Sequence, residues 1–203
     1  MPRAALIPLA LCLALACSSE PDAAKPAQPV TPAAGPDGSA REVTPSGTTV
    51  AATVEGLVMQ VPSEWTREDP ANPGMRKAEF VLPGPGGEAR LVVYRFPGGA
   101  GGAQANIDRW QSQIEPAAGA EAQTRELEVG GLTIAAIDSA GRFVGQSMPG
   151  APPQPAIDDA RLLAAAIEGS GDPFYLKLVG PRPTIDVWAP AWLELLGSLA
   201  VAP

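Results

Sequence analysis

The sequence predicts an α+β fold: an antiparallel sheet of about six or seven strands covered by two main helices. Three observations carry this. Short runs rich in Val, Leu, Ile, Phe and Tyr recur between Gly and Pro turns. Two pairs of these runs are joined by links short enough to force a hairpin. Two other segments repeat their apolar residues at helical spacing. Strands in series, with helices between and after them, pack as one sheet faced by helices.

The elements follow in order. "GLVMQVP", Gly56 to Pro62, is an apolar run closed by proline and reads as a first strand. "SEWTREDPANP" is a polar connection that holds Trp65. In "MRKAEFVLPG", Arg76, Ala78, Phe80 and Leu82 alternate with Met75, Lys77, Glu79 and Val81, which is strand periodicity. "PGPGG" turns the chain into "EARLVVYRF", whose β-branched and aromatic residues suit a pleated surface. "PGGAGGAQ" then leads into a helix, "ANIDRWQSQIE". Ala103, Ile107, Trp110 and Ile114 form its stripe, and Pro116 is expected to end it. Arg125 to Val129, the Gly130-Gly131 turn and the run from Leu132 make a second hairpin. After the proline-rich "QSMPGAPPQPAIDDA", the segments "RLLAAAIEG" and "PFYLKLVG" are two further strands. "TIDVWAPAWLELLGSLA" closes the chain as a helix, with Ile185, Trp188, Trp192, Leu195 or Leu196, and Leu199 on one stripe. Pro190 should kink this helix or mark where its regular part begins.

The first fifty residues have a different character. Arg3 precedes a 13-residue apolar stretch, Ala4 to Ala16, broken by Pro8. That is too short to span a bilayer and suits an export signal of residues 1–16. Its end, Leu13-Ala14-Leu15-Ala16-Cys17, resembles the signal of bacterial lipoproteins. The resemblance implies that Cys17 is lipidated and becomes the mature N-terminus, and that Cys12 leaves with the leader. It departs from the usual pattern in placing leucine at Leu13, with Ala14 three places before the cysteine. Several acyl chains would make the anchor effectively permanent, because each buried methylene contributes about 0.8 kcal/mol. Ser18 and Ser19, where an aspartate would signal inner-membrane retention, imply the outer membrane. Residues 17–47 follow as a tether rich in Pro and Ala without an aromatic residue, and such a stretch cannot bury enough apolar surface to offset its ordering entropy. Residues 48–203 form the single folded domain.

Composition excludes several functions. The formal charge is −8, from 14 basic and 22 acidic residues, and no nucleic-acid partner is expected of such a chain. There is no histidine. This removes Ser-His-Asp and Cys-His nucleophile systems and histidine acid–base catalysis. It also disfavours transition-metal sites, which want imidazole or thiolate. With Cys17 lipidated, the mature domain has neither a free thiol nor a disulfide. No cofactor is expected.

"LVMQVPSEW", the following hairpin, the helix after it, "YLKLVGP" and the closing helix together resemble a PsbP-like sandwich. "MRKAEFVLP", "NIDRWQSQ" and "FYLKLVGP" are similar to a group of uncharacterised bacterial envelope proteins. The resemblance spans most of residues 54–201. It implies an α+β sandwich that binds a protein or another envelope component without catalysis. It also draws attention to Asn106, Arg109 and Gln113 on the first helix, which would either cap the Gly-rich loop or meet a partner.

The Gly-rich loop before the first helix suits an anion at a helix start, but it lacks the Lys and Ser or Thr of a phosphate loop and also reads as a flexible link. Asp158 and Asp159 supply oxygen ligands for a hard cation, or simply a solvated strand start. Glu126 and Glu128 share a strand face, as a carboxylate pair or as an exposed polar surface. Trp110, Trp188 and Trp192 lie on apolar stripes and read as core. Trp65, in a polar stretch, is the tryptophan expected to be exposed. The partner surface read from the sequence is therefore Trp65, Asn106, Arg109 and Gln113. The competing expectation is a carboxylate-based enzyme or small-ligand binder in a cleft between sheet and first helix.

Overall fold

The computed structural model describes residues 40–70, 73–145 and 154–202, together with Met1. Cys12, Cys17, the leader and nearly all of the expected tether lie outside the described residues, as does the middle of the proline-rich loop. The fold is α+β. Among the described residues, eleven strands and two helices follow the order β1(Thr49–Val54), β2(Leu57–Pro62), β3(Thr66–Glu68), β4(Arg76–Leu82), β5(Ala89–Arg95), α1(Gly102–Gln111), β6(Ile114–Pro116), β7(Gln123–Val129), β8(Leu132–Phe143), β9(Ile157–Glu168), β10(Phe174–Pro181), α2(Arg182–Gly197) and β11(Ala200–Val201).

Eight of the strands form one antiparallel sheet. Its order is β3-β4-β5-β10-β9-β8-β6, with β7 also paired to β8. The long β8 takes β7 along its first half and β6 along its last residues. A smaller sheet, β1-β2-β11, is also antiparallel. The strand count exceeds the sequence expectation because β3, β6 and β11 are two or three residues long, and β1 offers Val, Ala and Thr without a larger apolar residue. The chain also joins the folded part earlier than Thr48. The Arg41 N–H bonds the Gly84 carbonyl at 2.9 Å, and Val43 packs on the core.

The hairpins form where sequence chemistry demands. Glu55 and Gly56 between β1 and β2 both have positive φ, 47° and 89°, the geometry of a two-residue hairpin turn. Glutamate is an uncommon choice there. Its carboxylate reaches Lys77 at 2.9 Å and Arg95 at 3.5 Å, which explains why a longer side chain is kept at a strained position. α1 ends sooner than its apolar spacing suggests. Ser112 caps it, the Gln113 N–H turns back to the Trp110 carbonyl, and Val144 then draws Gln113 toward the end of β8. Ile114 is buried with Ile107 and Trp110, as its spacing predicts, but from β6. α2 runs through Pro190, which removes one hydrogen bond to Asp186 without ending the helix.

The two faces of the large sheet bury different cores. One face packs against α2 and the small sheet. Leu57, Met59, Phe80, Leu91, Leu176, Leu178, Ile185, Trp188 and Leu195 are almost wholly buried there. The other face packs against α1. Ala160, Ala164 and Ala166 of β9 let Ile107 and Trp110 approach closely, with Phe143 and Tyr175 beside them.

The β4–β5 turn is tied to the start of α2. Thr184 Oγ1 accepts the Gly86 N–H at 3.0 Å and donates to the Gly87 carbonyl at 2.7 Å. Trp188 Nε1 donates to the Pro83 carbonyl at 2.7 Å. Any Cβ at Gly84 would collide with the Thr184 side chain, so this turn needs glycine for close approach.

Candidate functional site

The loop from β5 into α1 is built from glycine and held by side chains. Gly101 sits at the helix N-cap in the left-handed region, with φ 93°. Tyr175 Oη on β10 accepts the Ala100 N–H at 3.1 Å. Asn106 Nδ2 donates to the carbonyls of Ala100 and Gly102, at 3.1 and 2.7 Å. Arg109 donates to Asn106 Oδ1 at 2.9 Å and to the Ala100 carbonyl at 3.3 Å. Asn106 and Arg109 therefore hold the Gly-rich loop against the helix it precedes.

This geometry corrects the partner surface read from the sequence. Trp65 is 5% exposed, Asn106 2% and Gln113 6%; of the four residues, Arg109 alone is exposed. Trp65 lies in a polar stretch, but its N–H bonds the Pro62 carbonyl and its ring meets Trp188 edge-on at 5.8 Å. Trp110, Trp188 and Trp192 are buried, as their stripes predict. Gln113 Oε1 and Trp65 Nε1 are buried without a hydrogen-bond partner among the described residues.

The acidic candidates separate. Asp158 and Asp159 point to different arginines: Asp158 to Arg142 at 3.1 Å and Asp159 to Arg182 at 2.7 Å. Arg142 also binds Glu115 at 3.1 Å. These five residues line a shallow groove of about 430 Å³ at the start of β9. Behind it, Arg161 bridges Asp138 and Asp186, each at 2.7 Å. Hydrogen bonds to these carboxylates hold the guanidiniums of Arg142, Arg161 and Arg182 above their usual proton affinity. Glu126 and Glu128 lie on the exposed edge strand β7. Among the described residues, no three His, Cys, Asp or Glu side chains converge as metal ligands. A second groove, of about 670 Å³, follows the end of α1. Asp108, Gln111, Ser112, Glu121 and Ser139 line it.

One row of the sheet carries two buried charged residues. Glu79 on β4, Val92 on β5, Lys177 on β10 and Ala164 on β9 are successive partners across the sheet. Lys177 is 5% exposed, with Nζ 5.0 Å from the Phe143 ring centre. Burial, and after it the Arg76 charge, pushes its ammonium down to about 8. Glu79 is 8% exposed and binds Arg76 at 2.8 Å and Arg90 at 3.7 Å. The row's signal in the sequence is a lysine amid "FYLKLVGP", an apolar run that reads as covered on both faces.

No family model matches the chain, and no curated protein matches it. Solved structures do. The chain is similar to a protein of unknown function from Pseudomonas aeruginosa, at 18% identity and a TM-score of 0.43, over 77% of this chain and 99% of that one. It is also similar to the cyanobacterial PsbP (CyanoP) of Synechocystis sp. PCC 6803, at 12% identity and a TM-score of 0.44, over 76% of this chain and 91% of that one. The α+β class itself rests on the strands and helices above. Among the described residues, no helix is long and apolar enough to cross a membrane.

Proposed function

We propose that this chain is a lipid-anchored protein of the bacterial envelope, attached through Cys17 to the outer membrane and facing the periplasm. Its folded domain binds a protein or another envelope component without catalysing a reaction. The observation that carries the reading is the leader ending in Leu13-Ala14-Leu15-Ala16-Cys17, followed by a Pro/Ala-rich stretch. The geometry adds support, because Asp158, Asp159, Asp138 and Glu115 are each engaged by an arginine instead of converging on one point.

Fractionation tests the anchor. The wild-type chain should partition with outer membranes, and Cys17→Ser should release a folded soluble domain. A Cys17→Ser chain that still sedimented with membranes would overturn the anchor. Crosslinking through Arg109 in intact envelopes tests the binding role and should capture a discrete species. Robust turnover on a broad hydrolase panel would favour a second reading, a carboxylate-based enzyme or small-ligand binder. The groove holding Asp108 and Glu121 beside α1 is the observation behind that reading.

A further inference from the structure

The strand edges of this molecule are guarded unequally. An open edge presents unpaired N–H and C=O groups to any other strand, and short length, charge or proline blunts it. In the large sheet, β3 is three residues with Arg67 and Glu68, and β6 is three residues ending in Pro116. The longer β7 carries Arg125, Glu126 and Glu128. In the small sheet, β11 has two residues. β1 differs from all of these. It reads Thr-Val-Ala-Ala-Thr-Val, six residues without charge or proline. Val50 lies on the same side as the buried Ala52 and Val54, yet it is 49% exposed. Among the described residues, β2 is its one strand partner.

The hairpin register shows which groups face outward. Across a two-residue turn the flanking pair, Val54 with Leu57, exchanges both backbone hydrogen bonds, and alternate pairs follow. Thr49, Ala51 and Thr53 therefore turn their N–H and C=O groups away from β2. Two observed bonds agree. Gln60, opposite Ala51, gives its N–H to Ser198 Oγ on the far side. The Thr53 carbonyl accepts Arg67 at 3.3 Å.

We propose that β1 is a docking edge for β1 of a second copy of this chain, paired antiparallel about a two-fold axis at Ala51. The segment is self-complementary about that residue. Ala51 meets the partner's Ala51, and Thr49 meets the partner's Thr53, so the outward residues of both strands fall in hydrogen-bonded pairs. Threonine opposite threonine is a favourable cross-strand pair, and no like charges meet. Val50 comes to lie across from the partner's Ala52, which covers it. The exposed Arg67 guanidinium would have to release the Thr53 carbonyl. The product is a continuous six-stranded sheet, β11-β2-β1 joined to its symmetry mate.

The test uses the full chain carrying Cys12→Ser and Cys17→Ser. Sedimentation across micromolar concentrations should show a monomer–dimer equilibrium. Adding Ala51→Lys sets two ammonium groups opposite each other on the axis and should weaken dimerisation about tenfold or more. Because Ala51 is exposed, the thermal midpoint of the monomer, taken at a concentration too low for dimerisation, should not move. Geometry gives a second readout. Ala51→Cys should crosslink to itself on mild oxidation, because hydrogen-bonded partners have Cα atoms about 5.5 Å apart. Thr49→Cys should not, since the two copies of residue 49 stand about 14 Å apart in this register. A monomeric parent, an Ala51→Lys chain that dimerises as well as the parent, or a Thr49→Cys chain that crosslinks as readily as Ala51→Cys would each overturn the proposal.

Discussion

The two faces of the large sheet differ in what they bury. The α2 face holds the larger core: Trp65 and Trp188 meet edge-on, and Trp192 and Leu196 close the layer. The α1 face holds the smaller one: Trp110, Phe143 and Tyr175 pack on Ala160, Ala164 and Ala166, and Lys177 and Glu79 share that side of the sheet. Large apolar side chains stabilise by the area they remove from water, and a vacancy among them cannot collapse fully. Alanine offers little area, while a buried ammonium costs free energy unless it is neutralised. The α2 face should therefore hold most of the stability.

The largest expected effect tests that ranking directly. Trp188→Ala should lower unfolding stability by about 3–5 kcal/mol, since it opens a cavity and leaves the Pro83 carbonyl without its donor. Trp110→Ala, on the α1 face, should cost clearly less, measured by urea denaturation. Equal losses would break the comparison.

Lys177 sharpens it next. Its folded value of about 8 lies below the ordinary 10.5. Between these values the unfolded chain holds more protons than the folded one, so stability should rise with pH through that window. The linkage amounts to about 3 kcal/mol at most. Lys177→Met removes this proton linkage. It should flatten the difference in stability between pH 8 and 10.5, read from denaturation midpoints at each pH. An unchanged slope in the variant would show that another group titrates there.

A smaller loss is expected at Thr184→Val, about 1–3 kcal/mol, because the Gly86 N–H and Gly87 carbonyl lose a buried partner while the shape is kept. The smallest belongs to Glu126→Ala on β7. It should move the midpoint by under about 0.5 kcal/mol, as an exposed strand residue outside any cap or network does.

Periodicity and turn chemistry made most of this fold legible. β2, β4, β5 and β7 to β10 announce themselves as apolar or alternating runs between Gly and Pro, and both helices show their stripes. The spacing of Ile114 predicts its burial but not its strand, because spacing fixes burial and not where Ser112 ends the helix. β1, β3, β6 and β11 carry too little apolar pattern to be seen locally. The site was less legible. Trp65 reads as exposed from its polar neighbours, and only the return of Trp188 from the far end of the chain buries it. Asn106 and Arg109 bond backbone carbonyls of a glycine loop, and no local pattern reports such bonds.

The tie between Thr184 and the β4–β5 turn has a consequence for amide exchange. Surface turns ordinarily open alone and lose their protons quickly. Here the Gly86 amide proton cannot leave until the Thr184 hydroxyl does, and Thr184 sits in the first turn of α2. The amide of Arg41 is fastened to the same turn. These protons should exchange at the pace of the helix, so three segments distant in sequence open as one cooperative unit.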